Sequence, residues 1–217
     1  MRISLLRQRE PFCRILEQTL ARYWQWEWKQ PFVVNWRDRG EPNSAGDGRE
    51  PPQRLLVNDY LNIIFDPSLS ADEFDPIRRE FSRSPVAWRR PLQRAYVNCA
   101  IRRPTSAWLA HARLEITPAV PQLARLLLVP GNQKLRILDR AQGVCTSVLK
   151  SDFRDDAMRA EIKARDLAKQ LKIRVPETIS SDIERGVICE RYVSATPLNR
   201  LADAQLAHHS LDAATQS

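Results

Sequence analysis

A stripe of apolar residues predicts a helix over residues 5–28. The apolar positions recur three or four residues apart, which places them on one face of a helix: Phe12, Ile15, Leu16, Leu20 and Tyr23. The segment ends in Trp24, Trp26 and Trp28, which alternate with polar residues. This period of two indicates that the helix gives way to a strand. The three indoles either pack a core or domain interface, or bind a sugar ring or a membrane surface.

The next hundred residues begin with a polar loop, which is followed by segments with the patterns of a strand and a helix. Residues 37–53 contain no large apolar residue and are rich in Gly, Pro, Asn, Ser and Asp, which predicts a mobile loop. Residues 55–65 predict a strand, and residues 71–82 predict a short helix with acidic residues in its first turn. No pattern assigns residues 83–121.

From residue 122 the pattern predicts a meander of three strands, then a helix and a hairpin. The second strand alternates apolar and polar residues, as a half-buried antiparallel strand does. These elements are predicted at residues 122–129, 134–139, 144–150, 155–171 (the helix), 178–180 and 187–193. The fold class is therefore α+β. The predicted organisation is an unassigned α+β region over residues 1–120, a second region over 121–201 and a tail over 202–217.

Composition narrows the class of protein. The chain has no apolar run of 18 residues, which argues against a transmembrane segment, and charges interrupt the N-terminal region where a secretion signal needs apolar residues. The four cysteines are scattered, without a CxxC pair, so a zinc site is not expected. These features predict a cytoplasmic protein with reduced thiols.

The positive charge of the chain raises the question of whether the protein binds nucleic acid. The net charge is +8, and a basic balance is typical of nucleic-acid-binding proteins. Only six of the 34 basic residues are Lys, however, and no basic arm stands out. The distribution of charge therefore does not favour nucleic-acid binding, which stays a second alternative function.

Two charged residues lie where charge is costly. Lys150 shares a strand face with Val144, Thr146 and Val148. Glu161 belongs to a helical stripe that is otherwise apolar. Because a carboxylate on a packed face needs a cationic partner, we expect Lys150 and Glu161 to form an ion pair.

A strand Lys paired with a Glu of the next helix is the phosphate-positioning pair of the protein-kinase fold. The stretch 122–201 resembles the N-terminal lobe of aminoglycoside-phosphotransferase-like and other kinase-like phosphotransferases. More loosely, it resembles members associated with bacterial surface-polysaccharide gene clusters. The motifs that carry the resemblance are PGNQKLRILD, SVLK, MRAEIKARDLAKQL and VICERYVSATPLNRL. The resemblance implies a five-stranded antiparallel sheet with one helix.

The resemblance also implies a nucleotide site for ATP with Mg. Lys150 would contact the phosphates and Glu161 would hold it, while Val148 would line the adenine slot. The backbone of Glu190 and Tyr192 would bind the base edge, and the turn at Gly131 and Asn132 would lie over the phosphates.

The catalytic parts of that family are not found. About 20 residues follow the segment that would join the two lobes, and they contain neither an HxDxxxxN-like loop nor a second acidic motif. No catalytic residue and no metal ligand is assigned. The sequence thus predicts the nucleotide-binding lobe of a small-molecule or sugar phosphotransferase, incomplete as a single chain. It would be either a truncated enzyme or a lobe completed by a C-lobe-bearing protein or a homodimer. The alternative is a non-catalytic adaptor or regulator of a cell-envelope or polysaccharide pathway.

Overall fold

A nine-stranded antiparallel sheet organises the chain. The computed structural model describes residues 2–41, 51–81, 86, 88–173 and 175–193. The strands are β1 (Val33–Asp38), β2 (Gln53–Asn58), β3 (Ile63–Phe65), β4 (Ala112–Thr117), β5 (Leu127–Pro130), β6 (Lys134–Asp139), β7 (Val144–Leu149), β8 (Thr178–Asp182) and β9 (Val187–Arg191). Their order in the sheet is β1-β4-β2-β3-β5-β6-β7-β9-β8.

Six α-helices lie among the described residues. They are α1 (Ile3–Arg9), α2 (Phe12–Trp28), α3 (Asp75–Phe81), α4 (Arg89–Ile101), α5 (Thr105–Leu109) and α6 (Asp156–Gln170). Short 3-10 turns at Ala71–Phe74 and Leu123–Arg125 precede α3 and β5. No described helix is long and apolar enough to span a membrane.

The α+β class is confirmed, but the sheet is larger than the five strands expected from the resemblance. The pairing of β3 with β5, at Ile64 opposite Leu128, joins strands from the two halves of the chain. The predicted boundary near residue 120 therefore falls between β4 and β5 of one sheet. The meander of β5, β6 and β7 and the hairpin of β8 and β9 occur as the sequence predicts.

Helices α1 and α2 cover one face of the sheet. Leu16, Leu20 and Trp24 of α2 are buried against core residues from both halves of the chain, such as Leu114 and Val148. Two polar contacts reinforce this packing: the Thr19 hydroxyl accepts from the Ser151 backbone N–H at 2.8 Å, and Arg22 donates to the Leu149 carbonyl at 2.8 Å. The face of β7 that carries Val148 is thereby filled.

The tryptophan segment is helical to its end, so the expected change to a strand is wrong. Helix α2 ends at Trp28, and Lys29 follows in the left-handed conformation. Trp24 is buried beside Phe32, while Trp26 packs partly against the core and Trp28 is exposed. Tertiary packing thus overrides the local preference that the alternating pattern indicated. Of the two roles expected for the indoles, Trp24 has the first, packing in the core.

The other face of the sheet carries two separate groups of helices. Helices α3 and α4 pack over β3 and β5, where Phe65, Phe74 and Val97 are buried in one cluster. Helix α6 packs on β7 and β9 through Met158, which is fully buried against Leu149 and Ile188. The two groups leave a gap between α3 and α6 above the central strands.

Parts of the predicted loop and tail lie outside the described residues. Of the loop predicted over 37–53, residues 37–38 end β1 and residue 53 begins β2. Residues 42–50 and the tail from residue 194 onwards lie outside the described residues.

Candidate functional site

A cleft of about 1040 Å³ occupies the gap between α3 and α6. Its floor is formed by side chains of the central strands β6, β7 and β9, among them Arg136, Ser147 and Glu190. Its walls include Ile77 of α3 and Glu161 of α6. The cleft therefore lies on the sheet face opposite α1 and α2.

A chain of ion pairs crosses one side of this cleft. Lys134, the first residue of β6, donates to Oε2 of Glu161 on α6. Arg165, one helical turn further along α6, donates to Oε1 of Glu161 at 2.6 Å and also to Glu190 of β9. Because α6 is otherwise anchored by few apolar residues, these contacts fix its orientation over the sheet.

The cations hold Glu161 in its charged form. Burial would raise the pKa of the Glu161 carboxyl, but hydrogen bonds from Lys134 and Arg165 outweigh burial and bring the pKa below its ordinary value. Burial likewise works against the positive charge of Arg165, yet Glu190 and Glu161 together raise its pKa. Glu161 and Arg165 are therefore both charged at neutral pH.

The lining of the cleft has more positive than negative charge. Five basic residues line it, Arg79, Lys134, Arg136, Arg165 and Arg191, against the three acidic residues Glu80, Glu161 and Glu190. No carboxylate of the described residues lies within ion-pair distance of Arg136. An anionic ligand therefore suits the cleft better than a cationic one.

The turn between β5 and β6 forms one edge of the cleft and requires glycine. The Gly131 N–H donates to the Lys134 carbonyl at 2.8 Å. A Cβ on residue 131 would lie 2.9 Å from that same carbonyl oxygen, so a larger residue would push the turn open. Asn62, which directly precedes β3, has a left-handed backbone conformation. Its side chain donates to the Pro130 carbonyl at 2.7 Å and so stabilises the turn between β5 and β6.

Five of the seven residues proposed from the sequence meet in this cleft. Gly131, Asn132, Glu161, Glu190 and Tyr192 all line it, although they come from three separated segments. The backbone N–H of Tyr192 donates to the Gly143 carbonyl at 2.7 Å, however, so this N–H is not free to bind a base edge. Glu190 lies inside the ladder between β7 and β8, and it presents its carboxylate to Arg165.

The expected ion pair between Lys150 and Glu161 is wrong. The Lys150 side chain is fully buried on the opposite face, beneath α1 and α2, where it donates to Glu10. The rings of Phe12 and Phe153 lie 5.2 and 5.5 Å from its Nζ. Burial lowers the pKa of Lys150, and the hydrogen bond to Glu10 only partly opposes this.

Val148 also lies away from the cleft. It points to the same face of β7 as Lys150 and is buried under α2. The physical reason for both outcomes is the same: residues 3–28 fold back as helices and cover the strand face to which the resemblance assigned the nucleotide.

Sequence reasoning missed Lys134 and Arg165. Arg165 could have been found, since a position four residues after Glu161 is its neighbour on a helix surface. Lys134 begins the predicted alternating strand directly after the turn, but nothing local in the sequence places that strand end beside α6. Cys145 also lines the cleft, and burial raises the pKa of its thiol to about 11, so it is not a thiolate nucleophile at neutral pH.

Comparison with known proteins finds no match to a family model, a curated protein or a solved structure.

Proposed function

We propose that this chain is the nucleotide-binding lobe of a kinase-like phosphotransferase and that the cleft between α3 and α6 binds the nucleotide. The observation that carries the proposal is the ion pair between Lys134 on a strand and Glu161 on a helix that follows it in the chain, beside a glycine turn. In this proposal Lys134 takes the role that the sequence suggested for Lys150.

The chemistry of the cleft suits the phosphate end of such a ligand. Lys134 and Arg165 present N–H groups at one side of the floor, and Arg136 adds a third positive charge. Charge-assisted hydrogen bonds to phosphate oxygens are among the stronger polar contacts in proteins. Glu161 is then a positioning residue, because it holds both cations through its two oxygens.

The size and remaining lining of the cleft suit the nucleoside end. A volume of about 1040 Å³ accommodates a nucleotide. Val129, Leu138 and Tyr192 supply apolar and aromatic surface within the same lining. Both carboxylates in this part of the cleft, Glu161 and Glu190, already pair with Arg165. ATP with Mg therefore fits the cleft with the Mg ion held mainly by the phosphates of ATP.

Phosphate transfer needs groups from elsewhere, and an exposed apolar surface offers a place for a partner. Leu167, Leu171, Ile173 and Ile179 lie on or near α6 and β8, and each is about half exposed or more. Exposed apolar groups of this kind mark interaction surfaces. The partner would be a C-lobe-bearing protein or a second copy of the chain, and this surface equally supports the non-catalytic adaptor alternative.

Calorimetric titration with ATP and Mg tests the proposal. We expect binding by the full chain and binding by Lys134→Ala that is weaker by about tenfold or more, because a charge-assisted contact to phosphate is lost. Lys163→Ala is the matched control, since Lys163 is exposed on α6 and does not line the cleft. AMP should bind more weakly than ATP because it lacks the phosphates that the cations would meet.

Two results would reject the proposal. One is a complete absence of ATP binding by the folded wild-type chain. The other is binding that Lys134→Ala leaves unchanged while Lys150→Met abolishes it, provided that circular dichroism shows both variants to be folded.

A further inference from the structure

The segment that contains α4 and α5 carries positive charge without any negative charge. Between Glu80 and Glu115 the chain has no Asp or Glu, yet it has seven Arg. Four of these, Arg89, Arg94, Arg102 and Arg103, lie in or next to α4 and have no carboxylate within ion-pair distance among the residues that the structure describes. This local excess is much greater than the average over the whole chain.

Helix α4 has two apolar faces rather than one. Its inner face is buried in the core through Val97, Ala100 and Ile101. Its outer face also carries an apolar stripe, whose members are spaced by four, three and four residues: Trp88, Leu92, Ala95 and Cys99. All four are exposed, Trp88 to 63% and Leu92 to 61%. Core packing accounts for the first face, whereas the contact that the described residues make with the second is that of the neighbouring Arg89 guanidinium with the Trp88 ring, 5.2 Å from its centroid.

Helix α5 adds a further exposed indole. Trp108 is 67% exposed on α5, the helix that directly follows α4 in the chain and packs on it. Trp combines an apolar ring with a polar N–H and is enriched where proteins meet the membrane–water boundary. We call the five residues Trp88, Leu92, Ala95, Cys99 and Trp108 the outer stripe.

We propose that the outer stripe docks this protein onto an anionic membrane surface. The apolar side chains would enter the boundary between headgroups and acyl chains, while Arg89, Arg94 and Arg102 would pair with anionic headgroups. A helix with an apolar stripe flanked by arginines is the pattern of helices that lie in the membrane interface. Each basic residue near an anionic surface adds to the attraction.

Lipid explains the outer stripe better than nucleic acid does. Nucleic acid would use the arginines, and indoles could stack on bases. Leu92, Ala95 and Cys99, which form most of the stripe, offer no such stacking and gain nothing from contact with phosphates. An acyl-chain boundary accepts all five side chains.

Co-sedimentation with vesicles tests the proposal on the full chain. The protein should bind vesicles of phosphatidylcholine with about 30% phosphatidylserine. Its binding to vesicles of pure phosphatidylcholine should be weaker by about tenfold or more. Cys99 offers a second readout, because it is the only one of the four cysteines that is exposed. An environment-sensitive fluorophore on Cys99 should shift to shorter wavelength on the anionic vesicles.

Matched variants separate the outer stripe from general charge. Leu92→Glu should weaken vesicle binding by about tenfold or more, whereas Val33→Glu, at a similarly exposed apolar residue of β1, should not. Arg94→Glu combined with Arg102→Glu should also weaken binding, whereas Arg9→Glu combined with Arg39→Glu, the same charge change at two exposed arginines elsewhere, should have little effect.

Several results would overturn the proposal. These are no binding to anionic vesicles, equal loss in Leu92→Glu and Val33→Glu, or no shift of the Cys99 fluorophore. A single-stranded oligonucleotide that binds through the same residues and displaces the vesicles would assign the surface to nucleic acid instead. ATP binding is not involved in any of these measurements, so the proposal stands or falls separately from the nucleotide cleft.

Discussion

Lys150 carries a positive charge beneath helices α1 and α2, and Glu10 is the group that compensates it. The lysine side chain is 0% exposed and the glutamate side chain 14% exposed. Two phenylalanine rings adjoin the ammonium group. Removing one partner of a buried ion pair is costly because the other charge stays buried, whereas replacing both partners by neutral groups can cost little.

Lys150→Met should therefore destabilise the protein by about 3 kcal/mol, because the Glu10 carboxylate loses its partner. Combining it with Glu10→Gln should recover most of that loss, so the two changes should be strongly non-additive. Urea unfolding of the wild type, both single variants and the double variant measures this. Additive effects of the two changes would contradict the pairing.

The charge of Glu161 can be tested through pH. Because its pKa is lowered on folding, its contribution to stability is complete above the ordinary value of 4.5 and is lost as the pH falls through the lower folded value. Glu161→Gln should destabilise the protein by about 1 kcal/mol at neutral pH, a figure reduced for solvent screening. The gap between wild type and variant should close below pH 4.5.

Unfolding midpoints measured from neutral pH down to about pH 3 check this behaviour. Glu184→Gln is the control, since Glu184 is exposed and has no hydrogen-bond partner among the described side chains. A gap that stays constant over the whole range would show that Glu161 is not held by Lys134 and Arg165.

Residue-scale reasoning from the sequence recognised a costly charge at Lys150 but chose the wrong partner. Glu161 is the nearest acidic residue on a packed face of the next helix, whereas the actual partner, Glu10, lies 140 positions away. Only the long-range fold brings the end of α1 to the end of β7. The residues that line the cleft were easier to find, because Gly131 and Glu161 follow from local turn chemistry and helical spacing.

At the scale of elements, the hairpin of β8 and β9 depends on a glycine that packs against β7. Gly186 has a φ of +69°, and a Cβ there would lie 2.7 Å from the Cβ of Leu149. Gly143, in the turn between β6 and β7, has a φ of +64°, but no heavy atom lies within 4 Å of the place that a Cβ would occupy. Comparing alanine substitutions at the two glycines therefore separates the cost of the left-handed backbone from the cost of the steric contact with Leu149.

Gly143→Ala should cost about 1 kcal/mol, the ordinary penalty for a left-handed alanine. Gly186→Ala should cost about 3 kcal/mol, because overpacking against Leu149 adds to the same penalty. Urea unfolding gives both values, and amide exchange at Ile188 should accelerate only in Gly186→Ala. Equal costs for the two variants would mean that β9 does not approach β7 as described.

At the scale of the whole molecule, one sheet connects the two halves of the chain. Helix α2 packs on strands from both halves, and β3 pairs with β5 across them. The α+β class and most elements of the second half could be predicted from the sequence, because their alternation and turns are local. The strand order could not, since pairing between distant strands leaves no local pattern.

A continuous sheet and shared core should unfold in one cooperative transition. All six tryptophans lie before residue 109, so their fluorescence reports on the first half, and thiol labelling of Cys145 and Cys189 reports on the second. We expect the two urea transitions to coincide. Separate midpoints would indicate two independent units divided near residue 120.

Affinity labelling tests the central claim, that the cleft between α3 and α6 is the nucleotide site, most directly. An acyl phosphate of ATP transfers its acyl group to a nearby lysine Nζ and releases the nucleotide, and Lys134 is the only lysine among the described residues that line the cleft. Mass spectrometry should find the acyl group on Lys134, with labelling suppressed by excess ATP. Nucleotide-protected labelling of Lys150, or labelling that excess ATP does not suppress, would contradict the account.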